Sequence, residues 1–392
     1  MITDRVKQIG MSPTLRISAL AGELRRQGQD VLDFSAGQPD FPTPEGVKRA
    51  GVRAIENNHT RYTANNGMQE LREAIVARIR RDHDLHYDPD QVLVSPGAKA
   101  SLYFACMTLI EPGDEVIVPS PYWVTYPEQV RLAGGTPVFV PCRGEDGFRL
   151  DPSRLAAAIT SRTKALILND PSNPTGASYS EEQLRPLAEI CDRHGLWIIS
   201  DEIYSRLVYD GRRFVSIATL GDSIRERTVM INGMSKAWSM TGWRVGWTAA
   251  TQPVIDGMGK LQSHSTSSVT TISQFASVEA LNHCDEEIAR RVEAFQQRRD
   301  RIVARLRRIG GVCCTVPEGA FYVLPDCSGL LKRMDGVANG VELAELLLER
   351  ARVAVVPGEA FGAANHLRLS YAVSLEGIDE GMDRIERVLE QG

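Results

Sequence analysis

Lys236 is the residue whose type and setting point most directly to chemistry. It stands in GMSKAWSMTGWRVGW, residues 233–247, among small, aromatic and apolar side chains, with Arg244 eight positions on. Lysines ordinarily occupy solvated surfaces. One that follows the apolar run TVMIN and neighbours Trp238, Met240 and Trp243 is set for burial, which lowers an amine's pKa and favours its neutral, nucleophilic form. Such an amine condenses with a carbonyl to a Schiff base. A loop lysine that packs its stem on tryptophan while its ammonium stays wet has the same local pattern, so the other residues must decide.

Four further stretches supply complementary groups. SPGAKASL sets a glycine between an apolar run and a helical pattern, where the amides of Gly97, Ala98 and Lys99 can point at an anion along the helix dipole. PYW supplies Trp123, which can stack on a planar ring or fill a core. NPTG places the Asn173 amide after the run KALIL, to donate to a ring oxygen or simply to build a turn. Asp201 directly follows LWIIS. A carboxylate there is costly unless it meets a buried positive charge, such as a protonated pyridine nitrogen, or caps a helix. Tyr204, three residues on, is one helical turn away and can offer its phenol to the same ligand. A pyridine partner, a Schiff-base lysine, an arginine, an aromatic platform and an anion cradle together describe a site for pyridoxal phosphate.

The elements that position these groups are visible as short apolar runs separated by helical patterns: QVLVS, DEVIVP, TPVFVP, KALIL, LWIIS, TVMIN and WRVGWTA. They predict an α/β fold with a mostly parallel seven-stranded sheet covered on both faces, whose ligands sit at the carboxyl ends of the strands. After about Cys284 the pattern changes to a long charged helix and a smaller α+β segment, with strands near FYVLPD and HLRLSYA. The expected organisation is an N-terminal arm joined to the small domain (1–43), a large domain (44–284) and a small C-terminal domain (285–392).

Composition narrows the partners. Fifty acidic and 45 basic residues, spread along the chain, give a net charge of −5 and argue against a nucleic-acid or membrane surface. Seven scattered cysteines without CxxC spacing indicate reduced thiols, with no metal site. Without a leader-like start or a spanning apolar run, the expected location is the cytoplasm.

The segment G-M-S-K-A-W-S-M-T-G-W-R-V-G resembles the lysine signature of the class I aminotransferases of fold type I, in the aspartate aminotransferase superfamily. The motifs SAGQPDF, RYTANNG, SPYWVTYP, NPTG, SDEIY and HLRLSYA carry the resemblance over nearly the whole chain, towards the bacterial 1-beta branch. It implies that Lys236 holds pyridoxal phosphate and moves the substrate proton, and that Asp201 keeps the pyridine nitrogen protonated. Tyr204 and Asn173 would bond the ring's 3-oxygen, and Trp123 would stack on the ring. Arg244 and the amides of Gly97, Ala98 and Lys99 would hold the phosphate, with Ser235 or further amides compensating for Gly233, where the family often has Ser or Thr. Arg368 would clamp the substrate α-carboxylate beside the Gly37 backbone, and Tyr62 would reach the neighbouring subunit's phosphate in a homodimer with shared sites.

The implied reaction is transamination between L-aspartate and 2-oxoglutarate, with aromatic amino acids, prephenate or alanine as the alternative substrates. Residues 260–268 contain no arginine for the side-chain carboxylate. In the branch resembled here that task falls to Lys99, to Ser12 and Thr14 of the arm, and to a partner-chain serine placed at Ser265. Gly10 stands where prephenate-accepting members are expected to carry lysine. Asp170, before PSNPTG, replaces an expected small neutral residue and puts a second carboxylate near the cofactor.

Overall fold

All seven apolar runs pair into one sheet in the computed structural model, which describes residues 2–10 and 13–390. A two-residue strand β1 (Leu32–Asp33) precedes them. The runs are β2 (Val92–Ser95), β3 (Glu115–Ser120), β4 (Thr136–Pro141), β5 (Thr163–Asn169), β6 (Trp197–Asp201), β7 (Thr228–Gly233) and β8 (Gly246–Ala249). Their order across the sheet is β2-β8-β7-β6-β5-β3-β4, and β8 alone runs antiparallel to its neighbours.

The period of two along each strand divides the side chains between two cores. Val116, Val118, Ile167, Ile199, Val229 and Ile231 pack with Leu102 of the helix Ala98–Leu109 and with Ile255 and Met258 of the helix Gln252–Ser263. The intervening Ile117, Leu166, Leu168 and Ile198 pack with Leu184 and Leu187 of the helix Glu181–His194. Each such side chain, removed from water, contributes about 1.5–3 kcal/mol, which fixes strand register and hence what emerges at the strand ends. Because they are parallel, β3, β5, β6 and β7 finish on one rim, with Ser120, Asn169, Asp201 and Gly233 as their last residues.

The expected long charged helix is Asp285–Leu306. Beyond it come β9 (Tyr322–Val323), β10 (Val353–Ala354), β11 (Val356–Pro357) and β12 (Leu367–Ser370). β11, β12 and β9 form an antiparallel sheet in that order, and β1 pairs in parallel with β10. Ser370 N donates to Phe34 O (2.7 Å), so the N-terminal segment lies alongside Arg368. The pairs β1, β10 and β11 have two residues each, too short for any alternation to mark them in advance.

Among the described residues no helix is long and apolar enough to cross a membrane. The seven cysteines are free thiols, five of them buried.

Candidate active site

The strand-end rim, the segment after β1 and the small sheet enclose a cavity of about 510 Å³. Gly37, Ala98, Lys99, Trp123, Asn173, Asp201, Tyr204, Ser235, Lys236, Arg244 and Arg368 all line it. Residues up to 333 positions apart thus meet in one space, as the Arg368 Nη2 to Ser35 O bond (2.6 Å) illustrates.

Lys236 is half-buried in the cavity wall. Its Nζ donates to Gly37 O (2.6 Å) and lies 5.7 Å and 5.9 Å from the Tyr204 and Phe321 ring centres. Burial, reinforced by the Arg368 cation, brings its pKa down to about 8, with Asp201 pulling the other way. The apolar surroundings differ from the expected ones. Trp238 and Trp243 turn away, donating to Ala280 O and Thr43 Oγ1, and rings distant in sequence take their place.

Asp201 is buried at the end of β6, where Oδ2 accepts from Tyr126 Oη (2.8 Å) and Oδ1 from Ile203 N (3.3 Å). Burial pushes it up to about 6, against those two hydrogen bonds and Lys236. A cationic partner in the cavity reverses that shift. The residues after Asp201 form turns in place of the expected helical turn, and Tyr204 reaches the cavity from them. Asn173 Oδ1 accepts from Arg368 Nη1 (3.1 Å), which leaves its amide nitrogen as the donor.

At the other end, Gly97 precedes the helix Ala98–Leu109 at φ 88°, and a Cβ there would lie 2.6 Å from Arg244 Nη2. Gly246 is held as tightly, since its Cβ would meet Ala98 N at 2.3 Å. Arg244 itself adopts a left-handed φ of 55°, a strained backbone for a non-glycine residue. Lys99 Nζ sits 4.8 Å over the Trp123 ring, and burial lowers its pKa, with Arg244 adding to the effect. Gly233 has a steric cause: a Cβ there would stand 2.9 Å from Val245 O, so the position has no room for a Ser or Thr side chain.

Other expected residues stand elsewhere. Asp170 is buried but does not line the cavity; Oδ2 accepts from Tyr179 N (3.4 Å), and burial holds the carboxyl up to about 8, so it is mostly protonated at neutral pH. It therefore adds little negative charge beside a ligand. Ser265 is exposed outside its own chain's cavity, with Oγ donating to Leu261 O (2.7 Å). Tyr62 is 94% exposed and likewise absent from that cavity. Ser12 lies outside the described residues, as does the side chain of Thr14. Two tyrosines went unmarked in the sequence: Tyr126, on Asp201, and Tyr322, on Tyr204 and Arg368.

Lys99, Lys236, Arg244 and Arg368 set four cationic side chains around the cavity against the carboxyls of Asp201 and Asp33, and Asp33 is already paired with Arg25 (3.3 Å). This surplus fits an anionic ligand. A buried carboxyl at one end, a nucleophilic amine between, and a helix N-terminus with Arg244 at the other match the nitrogen, aldehyde and phosphate of pyridoxal phosphate.

A family model described as aminotransferase class I and II matches residues 29–385. The chain belongs to this family. The aminotransferase is 45% identical over 390 residues to the aspartate aminotransferase of Bacillus subtilis, covering 100% of this chain and 99% of that protein. It is also 45% identical over 392 residues to the probable aspartate/prephenate aminotransferase of Aquifex aeolicus, with coverage of 100% and 99%. The crystal structure of the aspartate aminotransferase from Rhizobium meliloti superposes with a TM-score of 0.96 at 43% identity, over 100% of this chain and 99% of that one. The Thermus thermophilus aspartate aminotransferase with maleate gives 0.94 at 43% identity over 99% of each chain. The neighbours thus share the fold type I α/β architecture.

Proposed function

We propose that this aminotransferase uses pyridoxal phosphate to move the amino group of L-aspartate to 2-oxoglutarate, giving oxaloacetate and L-glutamate by a ping-pong mechanism. Lys99 and Arg368, the cavity cations not taken up by the cofactor's aldehyde and phosphate, carry the reading, because aspartate and 2-oxoglutarate each bring two carboxylates. The names of the relatives and the dicarboxylate maleate in the Thermus thermophilus structure agree with it.

When bound, the cofactor supplies an electron sink that lowers the cost of removing the substrate α-proton. Lys236 would hold the cofactor's aldehyde carbon, and its amine would accept and return the substrate α-proton. Asp201 would hold a proton on the ring nitrogen, Tyr204 and the Asn173 amide would donate to the 3-oxygen, and Trp123 would stack on the ring. The amides of Gly97, Ala98 and Lys99, with Ser235 and Arg244, bind the phosphate. Arg368 grips the α-carboxylate through its planar fork, with Gly37 beside it. We place the division of the chain at 44–284 for a large unit and 285–392, joined by 1–43, for a small one. Arg368 belongs to the second and Lys236 to the first, so closure of one on the other excludes water.

The side-chain carboxylate falls to Lys99, with Ser12 and Thr14 of the arm and Ser265 of a second chain. The placement of Lys99 Nζ over Trp123, with its charge disfavoured by burial, supports this role. Losing one partner of a desolvated charge pair costs on the order of 2–5 kcal/mol, so Lys99→Ala should cut kcat/KM for aspartate and glutamate tens-fold or more. Alanine and phenylalanine, with no second carboxylate, should lose far less. Equal losses across this donor panel, run against 2-oxoglutarate, would return Lys99 to the phosphate alone.

The exposure of Tyr62 and its absence from its own cavity support a homodimer in which it serves the neighbouring phosphate. Mixing an inactive Lys236→Ala chain with a weakened Tyr62→Phe chain should then create heterodimers with one site free of both changes, and activity should rise. No recovery after demonstrated subunit exchange places Tyr62 outside the partner's site.

A further inference from the structure

Tyr322 lines the cavity and touches Tyr204 and Arg368, yet none of the roles above falls to it. It is 1% exposed on β9, and the register Tyr322↔Ser370 puts it on the same face of the small sheet as Arg368, diagonally across the ladder. The Arg368 guanidinium lies 4.5 Å from its ring centre, which fixes the direction of the phenol. That phenol meets Tyr204 Oη at 2.9 Å, across 118 residues of chain, and a Cβ on Gly37 would come to 3.1 Å from it. Burial raises the pKa of both phenols, so both remain protonated at neutral pH.

A phenol has one proton to give. When Tyr204 directs its proton to the cofactor's 3-oxygen, it can only accept from Tyr322, whose own proton is then committed to Tyr204. Donation into a hydroxyl strengthens the bond that hydroxyl donates onward. We propose that Tyr322 is a positioning residue that, by donating its phenolic proton to Tyr204, fixes the direction and strength of the Tyr204 bond to the cofactor's 3-oxygen. Because Tyr322 sits on the small sheet and Tyr204 at the rim of the large one, the bond links the substrate-carboxylate side of the cavity to the cofactor side. The inference rests on the aminotransferase reading.

The test is the pH titration of the bound cofactor's absorbance in the holoenzyme, alongside steady-state kinetics, for the parent, Tyr322→Phe, Tyr204→Phe and the double variant. Without the donor, Tyr204 stabilises an anionic 3-oxygen less well, and the chromophore keeps its proton to higher pH. Tyr322→Phe should raise the midpoint by roughly half a unit, the scale of one hydrogen bond relayed through another. It should lower kcat several-fold and leave KM for amino donors within about two-fold, since the ring under Arg368 is retained. In the Tyr204→Phe background the same change should add no further shift. An unmoved midpoint in Tyr322→Phe, or an equal shift with and without the Tyr204 hydroxyl, overturns the inference while the aminotransferase reading stands. A parent that takes up no pyridoxal phosphate sinks both.

Discussion

Lys236→Ala should abolish transamination, with turnover down by at least on the order of 10⁴-fold, because one substitution removes both the nucleophile and the proton carrier. The cavity shows why no other residue can substitute. Arg244 and Arg368 carry guanidinium groups in place of a primary amine, and Lys99 lies over Trp123. Only Lys236 combines a pKa brought down to about 8 with a position between the buried carboxyl and the phosphate cradle. The cofactor-free parent should therefore take up pyridoxal phosphate faster as pH rises through about 8 and the amine becomes neutral, then level off. Borohydride applied to the loaded enzyme should fix the cofactor on Lys236. A modified peptide centred on a different lysine would transfer the whole assignment elsewhere, whereas Lys236→Ala should still bind some cofactor through the remaining contacts.

What could be read in advance follows a physical division. The inner strands β3 and β5 of the large sheet are buried on both faces through their centres, so the runs VIV and LIL announce themselves, and the residues just after them had to emerge at a common rim. Lys236, Asp201 and Asn173 were legible for that reason. Tyr126 and Tyr322 were not, because each acts on a residue 75 or 118 positions away, and nothing local distinguishes them from core tyrosines. Asp170 shows the opposite failure. Its proximity to NPTG suggested a charge near the ligand, but the side chain turns towards Tyr179 and away from the cavity, and burial keeps it protonated. The aromatic neighbours of Lys236 were misplaced for a related reason: adjacency in GMSKAWSMTGW says nothing of direction, and Trp238 bonds Ala280 O instead.

Arg368→Lys provides the other large effect, and its pattern across substrates carries the argument. Arg368 is 3% exposed between the Tyr322 and Phe361 rings, with Nη1 on Asn173 Oδ1 and Nη2 on Ser35 O, so its plane is fixed before any substrate arrives. Its buried Nε has no hydrogen-bond partner among the described residues, and a carboxylate is the natural group to complete the fork. Lysine keeps the charge but offers a single point donor on a flexible stem, and neither the ring stacking nor the paired hydrogen bonds survive. The loss of a desolvated, doubly bonded contact, on the order of 2–5 kcal/mol, corresponds to a fall in kcat/KM of about 30-fold to several thousand-fold. Because every amino donor carries an α-carboxylate, aspartate, glutamate, alanine and phenylalanine should all fall by similar factors. Lys99→Ala, by contrast, should spare the donors that lack a second carboxylate, so the two variants measured on the same panel separate the groups that recognise an amino acid from those that recognise aspartate. A loss under Arg368→Lys confined to dicarboxylic donors would exchange the two assignments, placing Arg368 on the side chain and leaving the α-carboxylate to Lys99.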